Sequence, residues 1–144
     1  MELQSLKLVL TDADLEALAD EFIPDDAPVE DITLSITDGA IQVSGDYPTR
    51  LLNVPFQTTW EPTIEKGKIR LRLANIRVVG LPGGMLRGLF IGGFREVARS
   101  VPGASVEDET LVLDVDRLLA ARGIPLKTNL KLIRCEAGRM TIEA

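Results

Sequence analysis

The sequence predicts an α+β fold, a curved antiparallel β-sheet in meander order wrapped on one apolar, glycine-rich helix with short helices beside it. Three observations predict it. Runs of alternating apolar and polar residues recur between turn signals over most of the chain, the pattern of half-buried antiparallel strands. One of these runs, "KIRLRLANIRVVG" at 68–80, changes phase partway along, as a strand does at a bulge. Between Pro82 and Pro102 the period becomes helical, and "GGMLRGLFIGGF" at 83–94 holds five of the chain's 12 glycines.

Taken in order, "LQSLKLVL" at 3–10 sets Leu6, Leu8 and Leu10 on one face and Ser5, Lys7 and Val9 on the other, a strand. "TDADLEALADEF" changes the period: Thr11 caps a helix with Asp12 and Asp14 in its first turn, Leu15, Leu18 and Phe22 near one stripe, and Pro24 as its stop. Ile32, Leu34 and Ile36 then alternate with polar residues up to Asp38-Gly39, a hairpin turn, after which Ile41 and Val43 resume the alternation. "NVPFQTTW" sets Val54, Phe56, Thr58 and Trp60 on one face, and Pro55 marks an edge or a bulge. The stretch "EPTIEKGK" reads as the turn into the long strand, where Ile69, Leu71 and Leu73 face inward before Ile76 and Val78 take the opposite parity. That places a bulge near Ala74 and Asn75.

In the helix that follows, Leu86, Phe90, Phe94, Val97 and Val101 form one stripe with Leu89 beside it. A hairpin around Asp108 leads into a short helix capped by Asp114 or Asp116 and stopped at Gly123. The chain closes with a hairpin whose turn is "EAGR" and whose Met140 and Ile142 point to the core. No linker, repeat or low-complexity tract interrupts the pattern, so residues 1–144 read as a single domain.

Composition excludes several functions. With 4% aromatic residues, a net charge of −6 and a pI near 4.7, the chain has neither the stacking residues nor the charge for nucleic acid. It has no histidine, which removes the Ser-His-Asp and Cys-His arrangements and the commonest zinc ligand. Cys135 is the single cysteine, so no intrachain disulfide forms; on its strand it reads as a packed thiol rather than a reactive one. The carboxylate pairs Asp12/Asp14, Asp25/Asp26 and Asp114/Asp116 and the run Glu107–Glu109 sit beside turns and helix starts, where they serve as caps and solubilising charges. No enzyme, metal site or cofactor is expected. The N-terminal stretch lacks the basic start and apolar run of a secretory signal, and a cytoplasmic location is expected. Lys66, Lys68, Arg70, Arg72 and Arg77 make a cationic strip, either a solvated sheet face or a surface that steers an anionic lipid headgroup.

The glycines decide among the remaining readings. Leu89 and Phe90 stand where a phosphate-binding loop places Lys and Ser/Thr, and the flanks are not strand-loop-helix of a parallel unit. Pro82 and Arg87 interrupt an apolar run that is already too short to span a bilayer. On a helix, Gly84, Gly88 and Gly92 make one bare ridge, and each glycine costs about 1 kcal/mol against alanine. Three arrangements offset that cost: the ridge lies against the chain's own curved sheet, borders an apolar cavity, or lets two helices cross in a homodimer. Arg87, Arg95 and Arg99 lie on another side of the helix, as a solvated face or a site for anionic groups.

The order "ITLSITDGAIQVSGDY", "VPFQTTWEPTIEKGKIRLRLANIRVVG", "LPGGMLRGLF", "VPGASVEDETLVLDVDRLL" and "GIPLKTNLKLIRCEAGRMTIEA" resembles the bacterial LmeA-like domain family, over about residues 30–144. That family is related to the tubular lipid-binding (TULIP) superfamily, in which a strongly curved antiparallel sheet wraps a long helix around a groove for lipid chains. The resemblance implies non-catalytic binding of a lipid or other apolar ligand and peripheral contact with membranes. Family members are longer and exported, so the full tubular cavity is expected either to be absent or to be completed by a second copy in a homodimer. On this reading Leu71, Leu73, Leu86, Leu89, Phe90 and Phe94 surround the ligand, and the alternative is a homo-oligomeric interaction module in which a partner closes the same surface.

Overall fold

The computed structural model describes residues 1–48, 51–78 and 83–144, apart from the side chains at 83–86 and 89. Within them the order is β1 (Lys7–Thr11), α1 (Asp12–Phe22), β2 (Glu30–Thr37), β3 (Ala40–Pro48), β4 (Asn53–Glu65), β5 (Lys68–Val78), α2 (Gly83–Arg99), β6 (Ala104–Glu107), β7 (Thr110–Leu113), α3 (Val115–Ala120), β8 (Leu132–Glu136) and β9 (Arg139–Glu143). The fold is α+β with antiparallel strands, as the alternation predicts.

The strands form two sheets rather than one meander. Six pair in the order β2-β3-β4-β5-β7-β6, and β1, β9 and β8 form a separate three-stranded sheet. Each sheet has one apolar face, and stacking two such faces buries both, which joining them edge to edge does not. The small sheet accordingly packs through β8 on β2, β3 and β4. Ile133, Cys135, Met140 and Ile142 of the small sheet meet Ile36, Ile41 and Ile69 of the large one. A second cluster, Trp60, Leu73 and Ile91, lies farther along the same face of the large sheet, under α2. Val43 and Leu71 touch both clusters, so the interior is continuous.

The phase change in β5 is a bulge at Ala74: Thr59 stands opposite Asn75 and Trp60 opposite Leu73, leaving Ala74 without a partner. Leu73 and Ile76 are therefore both buried although they are three positions apart, which in a regular strand sets side chains on opposite faces. β4 runs past the stretch read as a turn. Only Lys66 and Gly67 turn the chain, both in the left-handed region at φ 53° and 75°. Pro62 does not end the strand: β3 stops pairing at Trp60, so beyond it one side of β4 is an edge where a missing N–H does no harm.

Thr11 caps α1 in a reciprocal box, its hydroxyl accepting from Asp14 N–H at 3.3 Å while the Asp14 carboxylate accepts from Thr11 N–H at 2.9 Å. The same helix seals the edge of β2. Asp12 and Glu16, one turn apart, accept from the backbone N–H groups of Ile36 (2.9 Å) and Leu34 (3.2 Å), taking the place of a neighbouring strand. Asp114 caps α3, and Asp116, the alternative cap, instead accepts both the N–H and the hydroxyl of buried Thr128.

Candidate functional site

The residues singled out as ligand-lining lie where α2 crosses the large sheet. β5 contributes Leu71 and Leu73, the latter with 0% of its surface exposed, and α2 contributes Phe90 and Phe94, one turn apart and partly buried. The side chains of Leu86 and Leu89 lie outside the described residues. The structure adds residues that the sequence reading left out of the site. Phe56 and Trp60 on β4 complete a row of rings, with centroids 5.6 Å apart for Phe56 and Phe90, 5.8 Å for Phe90 and Phe94, and 5.2 Å for Phe94 and Trp60. Ile91 is buried beside the row, and Val106 and Leu111 close it from the far hairpin. The period-two pattern of β4 already pointed both rings inward; what it lacked was any sign that α2 crosses at this height.

Gly45 belongs to the same place. It lies on β3 directly opposite Phe56 of β4, and a Cβ there would come within 3.0 Å of the Phe56 ring and 3.1 Å of the Glu30 carbonyl, so the ring occupies the space that the missing side chain frees. One polar line enters the apolar interior: Trp60 Nε1 donates to Thr58 Oγ1 at 2.8 Å, and the Thr58 hydroxyl donates to the Val43 carbonyl at 3.1 Å. Both polar groups are thereby satisfied without water.

At Gly88 and Gly92 the glycine ridge does not lie on the chain's own sheet, and Gly84, its third member, falls outside the described side-chain positions. Gly88 and Gly92 are exposed, as is Gly93, and a Cβ added at any of them meets nothing within 4 Å among the described residues. The buried side of α2 is set by Phe90, Ile91, Phe94 and Ala98, and a 3.6-residue period turns Gly88 and Gly92 away from it. Arg87 is likewise no solvated charge. Its guanidinium meets the Glu109 carboxylate with two bonds, at 2.5 and 2.6 Å, and donates to the Leu73 carbonyl at 2.9 Å, while Leu73 N–H donates to the Glu109 carbonyl at 2.9 Å. Helix, bulge and the β6–β7 turn are held at one point. The pairing with Arg87 keeps the Glu109 carboxyl below its ordinary range, and the bond to Glu109 raises the Arg87 guanidinium in turn.

Two of the five residues of the cationic strip are paired: Arg70 lies 3.6 Å from Glu65 and 3.1 Å from Glu107, and Arg72 bonds Glu61. Cys135 is buried in the first cluster, and burial pushes its thiol up to about 11. Among the described residues no group of three or more Cys, Asp or Glu side chains is placed to hold a metal, and no helix is long and apolar enough to cross a membrane. The chain was compared with protein-family models, with curated proteins and with solved structures, and no match was found in any of the three.

Proposed function

We propose that the protein binds an acyl-chain-like apolar ligand, without catalysis, along the row of rings between β4, β5 and α2. The observation that carries this reading is the row itself. Four of the chain's six aromatic side chains, Phe56, Phe90, Phe94 and Trp60, stand in one row of neighbouring rings, and Phe90 and Phe94 stay partly exposed. A flexible apolar chain lies along such a line with little polar cost. The bulge at Ala74 supports the finer reading of a sheet curved around α2 as in tubular lipid-binding proteins, because a bulge bends its strand. Exposed Tyr47, Leu51 and Leu52, at the end of the β3–β4 hairpin nearest Phe56, support transient contact with a membrane surface at which such a ligand is exchanged. A cytoplasmic site of action belongs to the same proposal.

The test is uptake of a fluorescent fatty-acid probe, with native and denaturing mass spectra of freshly purified protein compared for co-purified mass. Saturable uptake that Phe94→Glu abolishes supports the reading, and protein that takes up no probe before or after delipidation ends it. The second reading, an interaction module without a small ligand, is favoured by one observation: among the described residues nothing packs on Gly88 and Gly92 to offset their helix cost.

A further inference from the structure

We propose that β1 is an assembly edge, along which two copies of this chain pair antiparallel to form one continuous sheet β8-β9-β1 across a two-fold axis. The inference concerns an edge remote from the row of rings and is independent of the ligand-binding reading.

Two of the other three sheet edges are engaged by the chain's own groups, and the third is very short. The β2 edge is sealed by Asp12 and Glu16. The β8 edge is held at one end by the β2–β3 turn, where Gly39 N–H donates to the Cys135 carbonyl at 3.0 Å, and the Gly138 N–H of the β8–β9 turn donates to the Ile36 carbonyl of β2 at 2.9 Å. β6 has only four residues and lies beside α2. β1 has none of these protections. Leu6 is 37% exposed, Leu8 41% and Val9 45%, an unusual load of apolar surface for an unguarded edge.

The hydrogen-bond phase of β1 fixes what the edge offers. Ala144 N–H donates to the Leu6 carbonyl at 2.9 Å, and the register runs on as Leu8 opposite Ile142 and Leu10 opposite Met140. Strict alternation then turns the N–H and C=O groups of Leu6, Leu8 and Leu10 toward β9 and those of Lys7 and Val9 outward. Among the described residues no hydrogen bond engages those outward groups of Lys7 and Val9. The next outward N–H, that of Thr11, is held by Asp14.

A second copy fits this edge in one register. Pairing Lys7 with the partner's Lys7 sets like charges directly opposite, which is unfavourable. Pairing Val9 with the partner's Val9 needs the Thr11 N–H that Asp14 already holds. Pairing Lys7 with the partner's Val9 avoids both, uses every free outward group of the two residues, and sets Leu8 against the partner's Leu8 on the inner face, where Leu6 and Leu8 are incompletely covered. The edge is thus self-complementary, as a two-fold contact requires.

The register makes the test sharp. Leu8 and the partner's Leu8 form a non-hydrogen-bonded pair with Cα atoms about 4.5 Å apart, inside the range of about 4.4–6.8 Å that a disulfide spans. Under mild oxidation Leu8→Cys should cross-link to a covalent dimer, while Val9→Cys, displaced two residues from its copy, should not. Val9→Pro removes an outward N–H that β9 does not use, so it should leave the far-ultraviolet circular dichroism intact and weaken association in sedimentation by about tenfold or more. Gly88→Leu, on the bare face of α2, should leave association unchanged. A wild-type chain that sediments as a monomer at several hundred micromolar overturns the proposal. So does a dimer that Gly88→Leu breaks and Val9→Pro does not. If Val9→Pro fails to fold, the Leu8→Cys cross-link decides alone, and its absence overturns the proposal equally.

Discussion

Replacing Gly88 and Gly92 together by alanine should stabilise the protein. Both lie inside α2, both are exposed, and neither has a positive φ, so the methyl groups enter open space without backbone strain. Glycine within a helix costs about 1 kcal/mol against alanine, and the two gains should add to about 2 kcal/mol. For 144 residues the unfolding entropy at the midpoint is about 0.3 kcal/mol/K, which converts the gain to a rise in Tm of about 7 °C. Calorimetry at two protein concentrations checks this, with Gly45→Ala as the opposing control. There the new Cβ meets the Phe56 ring at 3.0 Å, and a loss of about 1–3 kcal/mol follows from overpacking. A fall in Tm for the α2 double variant would refute the reasoning, because it would mean that the bare face is packed in solution.

Arg87→Ala should cost about 1 kcal/mol from the lost bond to the Leu73 carbonyl alone, read as a lower urea midpoint at unchanged slope. Because Arg87 holds Glu109 below its ordinary value of 4.5, the contribution of that pair is complete above 4.5 and is lost as pH falls through the lowered value; an NMR titration should show Glu109 protonating below its ordinary value, and Arg87→Lys should bring it back toward that value. The Cys135 thiol, raised to about 11, should react with a thiol reagent at pH 8 at least about a hundredfold more slowly than a free thiol, and unfolding in urea should restore the ordinary rate. Leu51→Glu should abolish co-flotation with neutral phospholipid vesicles while leaving uptake of a soluble fatty-acid probe unchanged, and vesicle binding that survives the substitution would remove the β3–β4 hairpin from the membrane reading.

Much of the fold was legible in local signals. The bulge could be placed near Ala74 and Asn75 because side-chain parity reverses between Leu73 and Ile76, and Thr11 announced the cap of α1. The division into two sheets was not legible, since alternation shows that a strand has an apolar face and not which other face covers it. The same gap explains the glycines. Their spacing established a ridge on α2, but its direction depended on Phe90, Ile91, Phe94 and Ala98 outweighing it for the sheet, and Ile91 and Ala98 carry no distinguishing local pattern. Half of the proposed site followed from the helix and strand periods; Phe56, Trp60 and Gly45 needed the crossing of α2 over β4 to be known.

The most direct test of the ligand-binding claim uses Trp60, the single tryptophan, which is buried against Phe94 in the middle of the proposed path. Fatty acids brominated at successive positions along the chain are titrated against the delipidated protein while Trp60 emission is followed. The account predicts saturable quenching that is strongest for one interior bromine position and is lost in Phe94→Glu. Uptake of the fatty acid with no position-dependent quenching of Trp60, or no uptake at all, would contradict it.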